Sequence, residues 1–336
     1  MTPANPWHDR PKVELHVHLE GSIQPETLLE LARRNEIALP GRTVEELRDW
    51  YRFRDFDHFV SVYIAITSAI RTPDDLRLVW TRFIDGQHAQ NVLHTEVTFT
   101  AGTVADRCGI PWRDQLAVLA DAQAYARSIG VSVGVILDIV RGDSPERAQS
   151  VLEWVREGRD VGVVALGLAG DERLPADGYR ATFAAAIADG IPIIPHAGEF
   201  TDADAVRAIV ELTQPARIEH GLGVLTDPYF TREIADRQIA LDVCPSSNVC
   251  LHAAPSWDEH PLPRMLDAGL CVTINSDDAP MFNTTLTDEW AKCETHFGFD
   301  ADIGYSLTLN AVNAAILPIS EKVRLREQIR DGYAED

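Results

Sequence analysis

Eight short apolar runs, separated by helical patterns, constrain this chain more than any other feature. They are Lys12–Val17, Leu93–Phe99, Val131–Leu137, Val161–Leu166, Ile191–Ile194, Ala216–Ile218, Gln238–Val243 and Leu270–Ile274. Amphipathic stretches such as Pro25–Asn35, Pro145–Gly158 and Tyr179–Asp189 lie between them. Strand alternating with helix builds a parallel sheet, and eight repeats of that unit predict an α/β architecture closed into a (β/α)8 TIM-like barrel. After the second run the units recur about every 22 to 38 residues. The first unit is different: about 80 residues separate its two strands, with helical patterns at Phe56–Ile70 and Asp74–Gln90. A helical insertion after the first strand lies at the C-terminal rim, where barrels build their active sites. It is read either as a lid or as a cap on the barrel. No linker, repeat or low-complexity segment divides the chain, so residues 1–336 are read as one domain.

Composition removes several classes of function. Lys+Arg is 30 and Asp+Glu is 52, a formal net charge of −22. Such a surface repels phosphate backbones and anionic lipid, so neither nucleic acid nor membrane is an expected partner. The 5 cysteines form no C-x-x-C pair, which fits free thiols in a reducing compartment. The N-terminal stretch has no apolar core after a basic start, and no run approaches the ~18 apolar residues of a membrane helix. The expected setting is cytoplasmic; the oligomeric state is not legible.

The conspicuous polar residues sit where strands end. The first run leads into His16-Val17-His18, the fifth into His196-Ala197-Gly198-Glu199, the sixth into Glu219-His220-Gly221, and the eighth into Asn275-Ser276-Asp277-Asp278. Side chains two apart on a strand share a face, so His16 and His18 point the same way, into the barrel. Each piece alone is weak. Together, three histidines and a carboxylate (His16, His18, His196 and Asp277) converge on one rim and match the nitrogen and oxygen ligands of Zn²⁺ or a similar divalent ion. A bound metal of this kind lowers the pKa of water toward ~7 and provides a hydroxide nucleophile. Glu199 is then placed to protonate a substrate, and His220 to orient or deprotonate the water. Asp277 counts with both the ligands and the catalytic groups, and Asp278 can share a proton with the substrate. Residue logic thus reaches metal-dependent hydrolysis without naming a substrate.

The chain resembles the adenosine/adenine deaminase family of metal-dependent, amidohydrolase-type barrels. The resemblance is carried in order by KVELHVHLEGS (Lys12–Ser22), GLAGDE (Gly167–Glu172), HAGE (His196–Glu199), RIEHG (Arg217–Gly221), CPSSN (Cys244–Asn248), HPL (His260–Leu262) and TINSDD (Thr273–Asp278). It implies one zinc per chain, held by His16, His18, His196 and Asp277. It implies that Glu199 protonates the purine ring beside the attacked carbon and that His220 positions the hydroxide. Asp278 would bond the five-membered ring, Gly170 would offer its backbone to the far edge of the six-membered ring, and Glu20 stands where the nucleoside enzymes bind near the ribose. The implied reaction is hydrolytic loss of the 6-amino group as ammonia. GLAGDE resembles the nucleoside branch, whereas HLEG and RIEHG are closer to the adenine branch. Phe53–Arg77 and Asp258–Phe282 resemble 6-amino-6-deoxyfutalosine deaminases. The expected substrate is a 6-aminopurine nucleoside, either adenosine or a 5′-modified relative such as 6-amino-6-deoxyfutalosine, with free adenine as the alternative.

Other residues are given structural readings. His58, His88, His94, His252 and His296 are taken as surface or packing groups, and Cys244 and Cys250 as free thiols. Ser246 and Ser247 lack the G-x-S-x-G of a nucleophile elbow. The stripe Phe56, Phe59, Tyr63 and Ile66 has helical spacing and is read as packing against the barrel.

Overall fold

The computed structural model describes residues 5–334. Residues 1–4, where the stretch read for a targeting signal begins, and 335–336 lie outside the described residues. Eight parallel strands form the sheet in chain order: β1 (Lys12–His18), β2 (Val92–Phe99), β3 (Ser132–Val140), β4 (Val163–Ala169), β5 (Ile193–Ala197), β6 (Arg217–His220), β7 (Ala240–Val243) and β8 (Val272–Ile274). The expected (β/α)8 barrel is present. Several strands run further at their C-terminal ends than the apolar runs suggest; β1 takes in His18, β3 Asp138, β5 His196 and β6 Glu219 and His220. An apolar run stops at the first polar side chain, but the ladder does not, because its hydrogen bonds belong to the backbone. The discrepancy therefore marks the end of each strand where polar side chains collect.

The seam between β8 and β1 closes differently from the other seven. Asp277, just past β8, bridges to Val17; its N–H donates to His16 O at 3.1 Å and its carbonyl accepts from His18 N at 3.2 Å. One turn lower, Asn275 Oδ1 accepts from the N–H groups of Leu15 (2.7 Å) and His16 (3.1 Å). A side chain thus supplies part of the last ladder.

All seven residues of β1 are buried, as a strand covered on both faces must be. Val13 and Leu15 pack outward with Val312 and Leu325, while Lys12, Glu14, His16 and His18 alternate with them and face the barrel axis. The barrel-facing side of β1 is consequently polar. Arg217, fully buried, sets Nη1 2.6 Å from Glu96 Oε2 and Nε 2.6 Å from Asp242 Oδ2. Buried charges survive only when paired in this way, and losing one partner costs about 3–5 kcal/mol. Below the rim this network forms a rigid polar floor. His94 belongs to it, 2.9 Å from Ser132 Oγ and 3.2 Å from Glu96 Oε1, a packing role as expected.

The insertion after β1 contains α1 (Pro25–Arg34), α2 (Val44–Tyr51), α3 (Phe56–Thr67) and α4 (Pro73–Ala89). Each starts at a readable signal: Pro25 in the first turn of α1, caps from Thr43 and Asp55 for α2 and α3, and a capping box between Thr72 and Asp75 for α4. After β2 comes α5 (Ala101–Cys108). Among the described residues no helix is long and apolar enough to cross a membrane.

Candidate active site

His16, His18, His196 and Asp277 meet at the barrel mouth, brought there by β1, β5 and the turn after β8. His18 Nε2 lies 3.2 Å from His196 Nε2 and 3.3 Å from Asp277 Oδ1; His16 Nε2 lies 3.5 Å from the same carboxylate oxygen. The donor set decides what belongs between them. His16 donates its Nδ1 proton to the carbonyl of Asp242 at 3.2 Å, which leaves a lone pair on a buried Nε2 that has no hydrogen-bond partner. His196 Nδ1 donates to the carbonyl of Leu168 at 3.2 Å and lies 2.6 Å from Glu219 Oε2, so its Nε2 is also a lone pair. His18 Nε2 meets this lone pair at 3.2 Å, and with the His18 proton on Nδ1 the nitrogens converge on a place for a cation. Imidazole nitrogens oriented by a carbonyl and a carboxylate, with one free carboxylate oxygen, are the ligand set and outer shell of a catalytic zinc site.

The sequence reading gave the supporting residues no role at the metal cluster. Ser247 Oγ donates to Asp277 Oδ2 at 2.7 Å, which turns Oδ1 toward the histidines. Glu219 is held as a carboxylate, below the usual range; burial opposes this, but His196 and His16 outweigh it. The buried thiol Cys244 was read as a free cysteine and is one. Its position, 3.4 Å from His16 Nδ1, is new. Asp277 and His220 both have positive φ, 60° and 64°, a costly conformation for residues other than glycine that concentrates at functional sites.

Glu199 and His220 face each other next to this cluster, with Glu199 Oε2 3.6 Å from His220 Nε2. Glu199 Oε1 is buried without a partner. Burial, and then the neighbouring Asp277 and Glu172, push the Glu199 carboxyl well above its ordinary range, which favours its acid form. Its loop is fixed by Glu172, whose carboxylate accepts from the N–H groups of Gly198 (3.0 Å), Glu199 (3.2 Å) and Phe200 (3.3 Å) and from Thr201 Oγ1 (2.8 Å). Burial and His16 keep the His220 ring well below its usual range, hence neutral.

Which nitrogen of His220 holds the proton follows from a chain of contacts. Leu262 N donates to His260 Nδ1 at 3.1 Å, so the proton of His260 is on Nε2. That nitrogen donates to Asn248 Oδ1 at 3.4 Å, and Asn248 Nδ2 donates to His220 Nδ1 at 3.2 Å. His220 therefore presents an Nε2–H donor to the site. Asn248→Asp removes the only donor in that chain able to face Nδ1 and inverts the tautomer. Its kcat is expected to fall roughly 10²–10⁴-fold with zinc content unchanged. Ring ¹⁵N shifts would show the proton moved to Nδ1; unchanged shifts would exclude the relay.

Asp278 and Gly170 also line the cavity. Asp278 Oδ1 is buried without a partner, and burial together with Asp277 raises this carboxyl well above its usual range. Gly21 makes room for it, since a Cβ there would lie 1.5 Å from Asp278 Oδ1. Gly170 has φ 91°, which side-chain-bearing residues rarely adopt. Glu20, expected to contact the substrate, is fully buried behind the lining residues Tyr63 and Thr100; Oε1 accepts from Thr100 N at 3.0 Å and Oε2 from Tyr63 OH at 3.2 Å.

The cavity measures about 410 Å³. Its lining takes in His18, His196 and Asp277 of the metal cluster, then Tyr63, Thr100 and Asp138, and residues of α3 and α5 that include Thr103 and Arg107. Phe56, Phe59 and Tyr63 line it, while Ile66 is buried in the core. The stripe read as packing therefore serves both roles, since Phe59 also joins Ile66 in the buried core. Phe56 also meets Phe200 of the β5 loop, with ring centroids 5.2 Å apart, so the insertion roofs the site.

The family model described as adenosine deaminase matches residues 11–332. The chain belongs to the adenosine deaminase family. Over 321 residues, 95% of this chain and 91% of the relative, it is 36% identical to an adenine deaminase of Cupriavidus necator. Over 302 residues, 86% of this chain and 84% of the relative, it is 36% identical to an aminodeoxyfutalosine deaminase of Acidothermus cellulolyticus. Among solved structures, an adenine deaminase from Arthrobacter aurescens superposes with a TM-score of 0.90 at 29% identity, covering 96% of this chain and 98% of that one. An amidohydrolase from Burkholderia ambifaria with bound Zn superposes with a TM-score of 0.88 at 26% identity, covering 98% and 94%. This member of the adenosine deaminase family is a zinc-dependent deaminase of purine-type substrates. The resemblance seen in HAGE, RIEHG and TINSDD is borne out.

Proposed function

We propose that the protein removes the 6-amino group of a purine nucleoside by hydrolysis, with adenosine or a 5′-modified relative such as 6-amino-6-deoxyfutalosine as substrate. The observation that carries this reading is the cavity, whose 410 Å³ continues past the metal cluster to buried polar groups that a bare purine would leave unused. The whole chain, residues 1–336, acts in this reading as one catalytic domain in the cytoplasm; its five free thiols support a reducing setting.

Zinc, when held by His16, His18, His196 and Asp277, supplies a hydroxide near neutral pH. The chain's own residues do the rest. Glu199, in its acid form, donates a proton to the ring nitrogen beside C6 and makes that carbon electrophilic. His220 donates from Nε2 to the attacking oxygen and aims it at C6. Asp278, protonated next to Asp277, donates to the ring nitrogen of the five-membered ring, and Gly170 N–H bonds the far edge of the six-membered ring. Oxygen adds to C6; the proton of the added hydroxyl passes through the Glu199 carboxylate to N6, the C6–N6 bond breaks, and ammonia leaves as C6 becomes a carbonyl.

Free adenine is the second reading, favoured by the adenine deaminase relatives and by Glu20 and Glu219 in their motifs. Ammonia release from adenosine, 6-amino-6-deoxyfutalosine and adenine, measured side by side, separates the two. One nucleoside is expected to exceed adenine in kcat/KM by at least about tenfold, or some 1.4 kcal/mol of extra transition-state binding. Preference for adenine would replace the nucleoside reading by the base reading.

A further inference from the structure

Beyond the metal cluster, three strands bring an acidic pair together, with Asp138 on the cavity wall and Glu20 buried behind it. Glu20 follows β1, Thr100 follows β2, and Asp138 lies near the end of β3. Thr100 bridges the two carboxyls: its N–H donates to Glu20 Oε1 at 3.0 Å and its hydroxyl to Asp138 Oδ2 at 3.3 Å. Tyr63 occupies the second oxygen of Glu20. Asp138 is different. It is only 3% exposed, it lines the cavity, and its Oδ1 has no partner. Among the described residues no lysine or arginine pairs with either carboxyl.

A buried acceptor left unpaired costs free energy and is expected where a ligand completes it. The chemistry of the wall narrows the ligand. Thr100 Oγ1 and Tyr63 OH, both on cavity-lining residues, set hydroxyl groups beside the open Asp138 acceptor. A wall that both accepts and donates suits hydroxyl groups, which do both. It suits neither a phosphate, which two carboxyls repel, nor bare hydrocarbon. Resting on the nucleoside reading above, we propose that Asp138 Oδ1 accepts a hydrogen bond from a pentose hydroxyl of the substrate, and that Asp138, Thr100 and Glu20 form the subsite by which this chain separates nucleosides from free bases.

The test uses the zinc-loaded full chain, as wild type, Asp138→Ala and Asp138→Asn. Its substrates are adenosine, the 2′-, 3′- and 5′-deoxyadenosines, and 9-ethyladenine, which has no hydroxyl; any compound that is not turned over is measured as an inhibitor. Wild type is expected to lose roughly 10- to 100-fold in kcat/KM, the worth of a hydrogen bond to a charged group, on one deoxy analogue. Asp138→Ala should lose the same factor on adenosine, lose nothing further on that analogue, and keep its affinity for 9-ethyladenine within about twofold. Asp138→Asn, which keeps an acceptor oxygen and the bond to Thr100, should recover part of the loss. Equal losses on adenosine and 9-ethyladenine in both variants, or a deoxy penalty that persists in Asp138→Ala, would overturn the subsite. Wild-type turnover of adenine and of none of the nucleosides would overturn the nucleoside reading itself.

Discussion

Glu199→Gln is expected to keep its zinc and lose about 10²–10⁴-fold in kcat, the usual worth of a positioned proton donor. Gln fills the same space and keeps the loop that Glu172 holds through backbone N–H groups, so folding and metal content should not change. What disappears is the proton. The wild-type acid form is favoured because burial and Asp277 raise the carboxyl well above its ordinary range. The sign follows directly: the group is active when protonated, so kcat/KM should hold through neutral pH and fall on the alkaline side as Glu199 ionises. In Glu199→Gln that alkaline limb should vanish from the residual rate. Near-normal turnover in the variant, or an unaltered alkaline limb, would remove Glu199 from the proton transfer.

His16→Ala is expected to abolish zinc retention and turnover together. It removes a lone pair whose direction is set by the Asp242 carbonyl, and the remaining His18, His196 and Asp277 leave an open, weaker set. Chelation of wild type should do the same reversibly, with activity returning on added Zn²⁺. Metal analysis and melting temperature provide two further readouts. A ligand present at a thousandfold over its Kd stabilises the folded state by about 4 kcal/mol, so the metal-free wild type should melt several degrees lower. His16→Ala should melt near that lower value and not respond to zinc. A variant that kept one zinc per chain and full turnover would dismiss His16 as a ligand.

Much of the architecture is legible because barrels repeat. Each β-strand announces itself by an apolar run, and the first one states its own orientation, since Lys12, Glu14, His16 and His18 alternate with Val13, Leu15 and Val17. The metal set is legible for the same reason: strand ends that are far apart in sequence must meet at one mouth. The supporting contacts are less so. Glu172, Ser247, Asn248 and His260 all stand inside recognisable motifs, yet nothing in their spacing says that one caps the Glu199 loop, another turns Asp277, and two fix the proton of His220. Those roles depend on distances of a few ångströms between segments 12 to 30 residues apart. Asp138 is missed for a related reason. It ends an apolar run, where a lone carboxylate looks like the start of a loop, and only its buried, unpartnered oxygen identifies it as part of the wall.

The seam at Asp277 has a consequence for how the molecule comes into being. The residue that closes β8 onto β1 is the same one that offers a carboxylate oxygen to the histidines, and its backbone bonds reach back to His16 and His18. A chain emerging from the ribosome presents those two histidines first and must hold them through most of its synthesis before their carboxylate partner appears. Such long-range closure is slow and comes late. Metal capture with the full ligand set and completion of the barrel are thus one event, and a prematurely ended chain would possess neither.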